Sequence, residues 1–570
     1  MVWQETYEKW TKHTALDKDL RKQLEELQGN DKELEDAFYK NLSFGTGGMR
    51  GILGPGTNRM NVYTIRKAVA GLAKYIKSNV NDAEKRGVAI AYDSRHMSKE
   101  FAVESAKVLG AEGVKAYVFE SLRPTPVLSF AVRHLQAAAG IMITASHNPP
   151  EYNGFKVYNE DGGQAPLEEA EAIINEVNKI DRELDILVKN EEELLESNLL
   201  EWIGEDVDKA YLEQLKTIQK QAVNESTLEI VFTPLHGTAY YPVMDGLQQM
   251  GFQNIHVVEE QAKPDPEFST VSSPNPEEHQ AFEMAIALGE KVDADILIGT
   301  DPDADRLGVA VKDASGAYQV LSGNQLGTLL LDYTLSQTEN LTNGKVIKTI
   351  VTTEMGRAVA KHYGVETIDT LTGFKFIGEK IKQFELTHEH FLFGYEESYG
   401  YLIGDFVRDK DAVQAAVAAC EVAHYWKQQG KTLLEALDTL YEKHGFYVEK
   451  MNSLTLKGKE GAEQIATIME DIRERPFTNL AGLNIVAVED YQTSERYLPL
   501  EEKSEDITLP KENVMKFLLE NEAWVCFRPS GTEPKIKSYF GVKTDSKDDS
   551  EALIKTIQEE VEERIASILK

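Results

Sequence analysis

The chain has 570 residues, 42% of them hydrophobic, and a formal net charge of −34. At roughly 100–200 residues per domain, this length predicts three to five domains instead of one core. The acidic balance argues against a nucleic-acid binder, which depends on clustered Lys and Arg, and no apolar run reaches the ~18 residues that span a bilayer. Small anionic substrates are not excluded, because surface fields are screened within ~8 Å and a few local cations or helix N-termini suffice to bind phosphate. Two cysteines, Cys420 and Cys526, make neither a disulfide framework nor a zinc cluster. The opening "MVWQETYEKWTKHTALD" is charged throughout and has no apolar signal core, so a cytoplasmic protein is expected.

The first glycine-rich stretch, "SFGTGGMRG", places Arg50 among Gly45, Gly47, Gly48 and Gly51. It lacks GxxxxGK[ST] and is no P-loop. "RGVAIAYDS" then reads as a buried strand, with Ser98 as N-cap of a helix carrying Phe101, Ser105, Val108 and Leu109 on one face and ending at Gly113. "VKAYVFE" is the next strand. The same β-α-β rhythm returns at "LEIVFTPLHG" and at "KVIKTIVTT", which predicts three α/β units of related topology. The acidic stretch from about Glu183 to Glu205 reads as a connection. Another break falls near Gly323, and beyond "GFYVEKMNSLTLKG" the pattern becomes a separate α+β domain with a final helix from about Ser550.

Within the first unit, "GIMITASHNPPEYNGFKVYNEDGG" carries an apolar run into Ser146 and His147, followed by two prolines. A nucleophile held at a strand end and an ordinary polar turn both fit. "ADILIGTDPDADRLGVAV" opens a buried strand into Asp301, Asp303 and Asp305, with Arg306 beside them. Alternate carboxylates at a strand end suit one hard cation such as Mg²⁺. An EF-hand fails, because Arg306 stands where Gly is needed and Lys312 where Glu is needed. An aspartyl nucleophile at Asp301 and a solvated acidic loop are the other readings. "LFGYEESYGYLIGDFVRDKDA" pairs Glu396 and Glu397 with Ser398, a set suited to a polyol. Read alone, its charge run Arg408, Asp409, Lys410, Asp411 is solvated surface. "CFRPSGTEPKIKSYF" groups Arg528, Ser530, Gly531 and Thr532: a planar guanidinium fork, hydroxyls and a tight turn, suited to phosphate.

Together these stretches resemble the α-D-phosphohexomutase superfamily, and within it the phosphoglucomutases. "FGTGGMRG", "TASHNP", "GTDPDADR", "GYEESYG" and "RPSGTEPK" occur in family order between Phe44 and Lys535. The resemblance implies an α/β fold. Three related α/β domains with mixed sheets and a smaller α+β C-terminal domain surround a central cleft, at residues 1–205, 206–323, 324–450 and 451–570, each supplying one loop. It implies Ser146 as phosphoserine, also a metal ligand. Asp301, Asp303 and Asp305 then hold Mg²⁺, and Arg50 and Arg306 lie near the phosphoserine. Gly373, Glu396 and Ser398 fall on the sugar side, and Arg528, Ser530, Gly531 and Thr532 form the anchor for the non-reacting phosphate. The implied reaction interconverts glucose 1-phosphate and glucose 6-phosphate through glucose 1,6-bisphosphate, in a monomer or homodimer whose partner is a small sugar phosphate. Two departures stand out. Tyr399 and Tyr401 occupy a neighbourhood where some branches carry His, which leaves His147 and Lys410 as candidate general acid/base. "GFKFIG", Gly373 to Gly378, resembles the subgroup that includes phosphopentomutases, so pentose phosphates stand as alternative substrates, with mannose phosphates. A Mg²⁺-dependent phosphatase would release inorganic phosphate steadily. A non-catalytic sugar-phosphate binder is at odds with an intact Ser146 and aspartate trio.

Overall fold

The computed structural model describes residues 2–45, 48–223, 226–456, 458–530 and 534–570. The chain forms two compact units: Met1–Gly323, Phe374–Gly394 and Ser398–Thr432 in one, and Asn324–Gly373, Tyr395–Glu397 and Leu433–Lys570 in the other.

The first unit opens with three helices, Val2–Lys12, Lys18–Glu26 and Asp31–Phe38, packed round the buried indole of Trp10. Trp10 Nε1 donates to Glu183 Oε1 at 3.1 Å. Six strands follow: β1 (Met49–Ile52), β2 (Val88–Tyr92), β3 (Ala116–Phe119), β4 (Ala139–Ile143), β5 (Tyr152–Tyr158) and β6 (Leu200–Ile203). They form one mixed sheet in the order β1-β5-β4-β2-β3-β6. β2, β3, β4 and β6 run parallel, while β5 turns back antiparallel to β4 and β1. "VAIAY" and "AGIMI" are buried along their whole length, the pattern of parallel strands covered on both faces. Two details depart from the sequence reading. The acidic connection contains β6, because Leu200 and Ile203 bury and the strand pairs parallel with β3. Ser98 is the first residue of helix Ser98–Ala111, not its cap, since its hydroxyl is taken by Asp93 Oδ1 at 2.7 Å.

A second sheet repeats the plan. β7 (Ile230–Thr233), β8 (Ile255–Val257), β9 (Ile296–Thr300), β10 (Leu307–Lys312) and β11 (Tyr318–Val320) lie in the order β11-β10-β9-β7-β8. As β4 lies parallel to β2 in the first sheet, β9 runs parallel to β7 and is followed by an antiparallel partner, β10, in register Thr300 with Leu307. The loops 144–151 and 301–306 therefore occupy equivalent places in the two sheets.

The second unit begins its α/β part with β12 (Gly344–Thr349) and β13 (Glu366–Thr370), a parallel pair joined through helix Glu354–His362. Thr353 caps that helix through Met355 N. β14 (His390–Glu396), whose residues Tyr395 and Glu396 belong to this unit and the rest to the first, and β15 (Gly400–Leu402), which belongs to the first, flank the turn 397–399. The C-terminal part is an antiparallel sheet of β16 (Phe446–Thr455), β17 (Asn479–Leu480), β18 (Leu483–Asp490), β19 (Glu495–Leu498), β20 (Lys503–Asp506), β21 (Met515–Leu519), β22 (Trp524–Pro529) and β23 (Lys535–Thr544). Helices Gly458–Glu474 and Lys547–Ile568 share a core with it built on Ile468, Ile472, Phe517, Phe527, Ile554 and Val561. Ser546, not Ser550, starts the last helix, its hydroxyl accepting from Asp549 N. Among the described residues, no helix is long and apolar enough to cross a membrane.

Candidate active site

Strand β4 delivers Thr144, Ala145 and Ser146 into a buried turn. Ser146 takes a left-handed φ of 53°, which a non-glycine residue keeps only when its surroundings impose it. Its N–H donates to Thr144 Oγ1 at 2.9 Å. Glycine at 154 lets β5 pass close by, since a Cβ there would meet Thr144 O at 2.4 Å. The Ser146 hydroxyl donates to Asp301 Oδ2 at 2.7 Å, and His147 Nδ1 lies 3.1 Å from Ser146 Oγ. Burial first, then the charges of Arg306 and Arg50, hold the His147 imidazole well below its ordinary pKa. It is therefore neutral at pH 7. Arg50, on β1, reaches Asn148 Oδ1 at 3.4 Å.

Asp301, Asp303 and Asp305 sit in the β9–β10 turn, all buried, each offering an oxygen within 4.8 Å of the others. The N–H groups of Asp305 and Arg306 both donate to Asp301 Oδ1 at 3.0 Å. Gly237 lets a neighbouring segment brace the turn: a Cβ there would lie 2.5 Å from Pro302, whose carbonyl accepts from Thr238 N at 2.9 Å. Three carboxylates this close repel unless cations face them. Lys156 Nζ lies 2.7 Å from Asp303 Oδ2 and 3.5 Å from Asp305 Oδ2. Lys410 Nζ lies 3.1 Å from Asp305 Oδ2, and Thr125 Oγ1 donates to Asp303 Oδ2 at 2.9 Å. Burial, then Asp303 and Asp305, push the Asp301 carboxyl well up. Burial acts the same way on Asp303, but the Lys156 ammonium and the hydrogen bonds from Asp301, Lys156 and Thr125 outweigh it and pull that carboxyl down. Asp305 is also lowered: burial and Asp303 oppose its ionisation, and Lys410, Lys156 and Arg306 overcome them. Arg306 is ion-paired to Glu277.

The charge run that read as solvated surface is buried at all four positions. Arg408 pairs with Asp161 at 3.1 Å and Glu385 at 2.5 Å. Asp409 accepts from Tyr158 Oη at 2.8 Å and Gln164 Nε2 at 3.0 Å, and its other oxygen holds Lys410 Nζ at 3.2 Å. Asp411 caps helix Ala412–Gln428. Each charge has a partner from a distant part of the chain, which a reading of neighbours along the sequence does not reveal.

In the second unit, Glu396 is buried at the end of β14 and accepts from Gly373 N at 2.8 Å. Gly373 has a φ of 119°, open to glycine but costly for other residues. Ser398, which belongs to the first unit, lies in the turn after β14. Arg528, on β22, approaches Glu512 Oε1 at 3.4 Å, and Ser530 N donates to Lys535 O at 2.7 Å. Gly531 and Thr532 lie outside the described residues. The sequence reading had missed Lys156 and Thr125. Lys156 carries a signal after all: it is the one charge in "YNGFKVY", a strand buried over six of its seven residues. Thr125 carries none.

A divalent cation suits this donor set. Among the described residues, Asp303 Oδ1 and Asp305 Oδ1 are buried without a hydrogen-bond partner, and an all-carboxylate set is what a hard cation takes.

Comparison with known proteins agrees with this picture. Residues 41–184, 209–316 and 322–444 match, in turn, phosphoglucomutase/phosphomannomutase alpha/beta/alpha domains I, II and III. A phosphoglucomutase of Staphylococcus aureus (strain bovine RF122 / ET3-1) is 42% identical over 517 residues, covering 91% of this chain and 92% of that protein. One from Staphylococcus epidermidis is 40% identical over 534 residues, covering 93% and 96%. Two solved structures share the fold. The pp63/parafusin phosphoglucomutase of Paramecium, in an open form, has a TM-score of 0.66 at 17% identity, over 93% of this chain and 95% of that one. A phosphoglucomutase/phosphomannomutase family protein from Burkholderia thailandensis has a TM-score of 0.65 at 18% identity, over 91% and 97%. With all three domains matched in order, and relatives of 40% identity or more aligned over nine-tenths of its length, the chain belongs to the phosphoglucomutase/phosphomannomutase family.

Proposed function

We propose that the chain interconverts α-D-glucose 1-phosphate and glucose 6-phosphate, with Ser146 carrying the phosphoryl group. The observation that carries this is the Ser146 hydroxyl, held 2.7 Å from Asp301 and 3.1 Å from the neutral imidazole of His147 in a buried turn. The phosphoglucomutase relatives support glucose as the sugar.

Asp301, Asp303 and Asp305, with an oxygen of the phosphorylated Ser146, would hold Mg²⁺. A bound Mg²⁺ supplies charge neutralisation and Lewis acidity toward phosphoryl oxygens. The rest falls to the chain. Phosphoryl transfer needs positioning and charge stabilisation more than covalent help. The Ser146 Oγ–P bond breaks as the 6-hydroxyl of glucose 1-phosphate bonds to phosphorus, and the hydroxyl proton passes to a base. The resulting glucose 1,6-bisphosphate presents its other end. Ser146 Oγ bonds to the phosphorus of the 1-phosphoryl as the O1–P bond breaks, the base returns its proton to O1, and glucose 6-phosphate is left. His147 is suited to accept the proton because it is neutral, and Lys410 is the other candidate. Arg50 and Arg306 bring positive charge to the phosphoryl group. Glu396, Ser398 and the Gly373 backbone read sugar hydroxyls. Arg528, Ser530, Gly531 and Thr532 anchor the phosphate that is not being transferred. In this reading the segments 1–205, 206–323, 324–450 and 451–570 supply one loop each.

The test is a coupled assay with glucose 1-phosphate, mannose 1-phosphate and ribose 1-phosphate, beside a measurement of released inorganic phosphate. The reading requires glucose 1-phosphate to give the highest kcat/KM, with catalytic amounts of glucose 1,6-bisphosphate and negligible phosphate release. Preference for ribose 1-phosphate would make the chain a phosphopentomutase, and stoichiometric phosphate release a phosphatase.

A further inference from the structure

The turn carrying Ser146 has to be held in its left-handed conformation, and four main-chain carbonyls of the turn and the strand start after it converge on one side chain that lies outside the motif. Arg95 Nη2 donates to Ser146 O and Asn148 O, both at 2.5 Å. Its Nη1 donates to Pro149 O at 2.8 Å and Tyr152 O at 3.1 Å. Nε lies 3.3 Å from Asp93 Oδ2, with both side chains fully buried. Asp93 Oδ1 in turn accepts from Arg95 N at 2.9 Å and Ser98 Oγ at 2.7 Å. The guanidinium carbon stands 4.9 Å from the centre of the Phe268 ring. Phe268 belongs to the stretch matched to the second family domain, the one that also supplies the aspartates.

This arrangement uses what distinguishes arginine. A planar guanidinium offers five N–H donors in a rigid fork and an aromatic-compatible face. A lysine brings three donors at one point and cannot span four carbonyls spread from residue 146 to residue 152. The Arg95 guanidinium makes its hydrogen bonds to main-chain carbonyls, not to the Ser146 hydroxyl or to the carboxylates of Asp301, Asp303 and Asp305. What it fixes is the backbone from which the hydroxyl projects.

We propose that Arg95 is a positioning residue for phosphoryl transfer, setting the direction of Ser146 Oγ through the carbonyls of its turn. Its seat on Phe268 makes that direction depend on the neighbouring domain of the same unit. The proposal rests on the reading of Ser146 as phosphoryl carrier.

Arg95→Lys in the full chain tests it, with three readouts: thermal unfolding, steady-state kinetics on glucose 1-phosphate, and amide hydrogen exchange across residues 144–152. Displacing a reacting atom by about 1 Å costs roughly a hundredfold in rate. The expected result is a folded protein whose kcat falls roughly 30- to 300-fold while KM stays within about threefold. Exchange should be faster in the turn and unchanged in β2 and β4. A kcat within about threefold of wild type, a loss confined to KM, or a lower kcat with the turn still fully protected would each overturn the proposal. Should Arg95→Lys fail to fold, Phe268→Leu takes its place. It keeps every guanidinium hydrogen bond and removes only the ring, and it should lower kcat roughly three- to tenfold with faster exchange in the turn. Wild-type values for both would overturn the proposal. A wild-type chain that takes no phosphoryl group onto Ser146 from glucose 1,6-bisphosphate overturns the mutase reading instead. Exchange alone then decides the role of Arg95: a turn that stays protected in Arg95→Lys counts against it, and faster exchange supports it.

Discussion

Ser146 Oγ lies 2.7 Å from Asp301 Oδ2, although 155 positions separate the two residues in the chain. The contact joins the loop after β4 to the loop after β9. Both loops occupy the same place in their sheets, where a parallel strand gives way to an antiparallel partner. A repeated supersecondary plan therefore brings a nucleophile and a set of cation ligands together, each from the corresponding turn of its own domain.

The role of Lys156 can be tested by removing its charge. Lys156→Met removes the ammonium nearest Asp303 and leaves the three buried carboxylates less well neutralised. Breaking a buried pair by removing one partner costs about 3–5 kcal/mol. The melting temperature in EDTA should fall by several degrees. Added MgCl₂ should raise it more in the variant than in wild type, because binding to the folded state is linked to stability. Asp303→Asn in the same titration should lose most of the Mg²⁺-dependent rise. An unchanged melting temperature for Lys156→Met in EDTA would mean that the lysine does not neutralise the trio.

Asp411 gives a pH prediction. It is fully buried and accepts from Tyr211 Oη, Val413 N and Gln414 N. Burial pushes its carboxyl up from 3.8 to about 6 against those hydrogen bonds. Because the folded carboxyl titrates above the unfolded one, its stabilising contribution is complete below pH 3.8 and is lost as the pH climbs through about 6. A shift of this size is worth on the order of 3 kcal/mol. Asp411→Asn keeps a competent helix cap and does not ionise. Its stability relative to wild type should therefore rise by that order between about pH 4 and pH 8, read by urea unfolding at the two pH values. An equal gap at both would contradict the assignment.

Arg528 should hold the phosphate that stays away from Ser146. The sugar bisphosphate uses both of its orientations in turn, so one anchor serves both steps. Losing a charge-assisted contact costs roughly 1.5–3 kcal/mol. Arg528→Ala should therefore raise KM for glucose 1-phosphate and for glucose 6-phosphate by roughly ten- to a hundredfold. Mg²⁺ binding by the aspartates should persist. Unchanged KM in both directions would place the anchor elsewhere.

Much of this site could be read from local patterns, and the remainder shows where such patterns end. The α/β alternation was legible because β2, β4 and β9 are continuous apolar runs bounded by turn residues. The aspartate trio was legible because its spacing lies within a single turn. β6 was hidden by the acids around it, which face solvent while Leu200 and Ile203 bury. Arg408 to Asp411 looked like surface because their partners, Asp161, Tyr158, Tyr211 and Glu385, come from remote segments. Thr125 was silent for the same reason, as its contact with Asp303 spans 178 positions. Arg95 was passed over inside "AYDSRHMS", where nothing local indicates that its guanidinium reaches the carbonyls of residues 146 to 152.

The most direct test of the account is where the phosphoryl group goes. Wild-type protein incubated with glucose 1,6-bisphosphate should carry one phosphoryl group, mapped by peptide mass spectrometry to Ser146. Ser146→Ala, folded to the same melting temperature within a few degrees, should carry none and should lose mutase activity by several orders of magnitude. Phosphate found on Asp301, or a Ser146→Ala variant that still interconverts the two glucose phosphates, would contradict it.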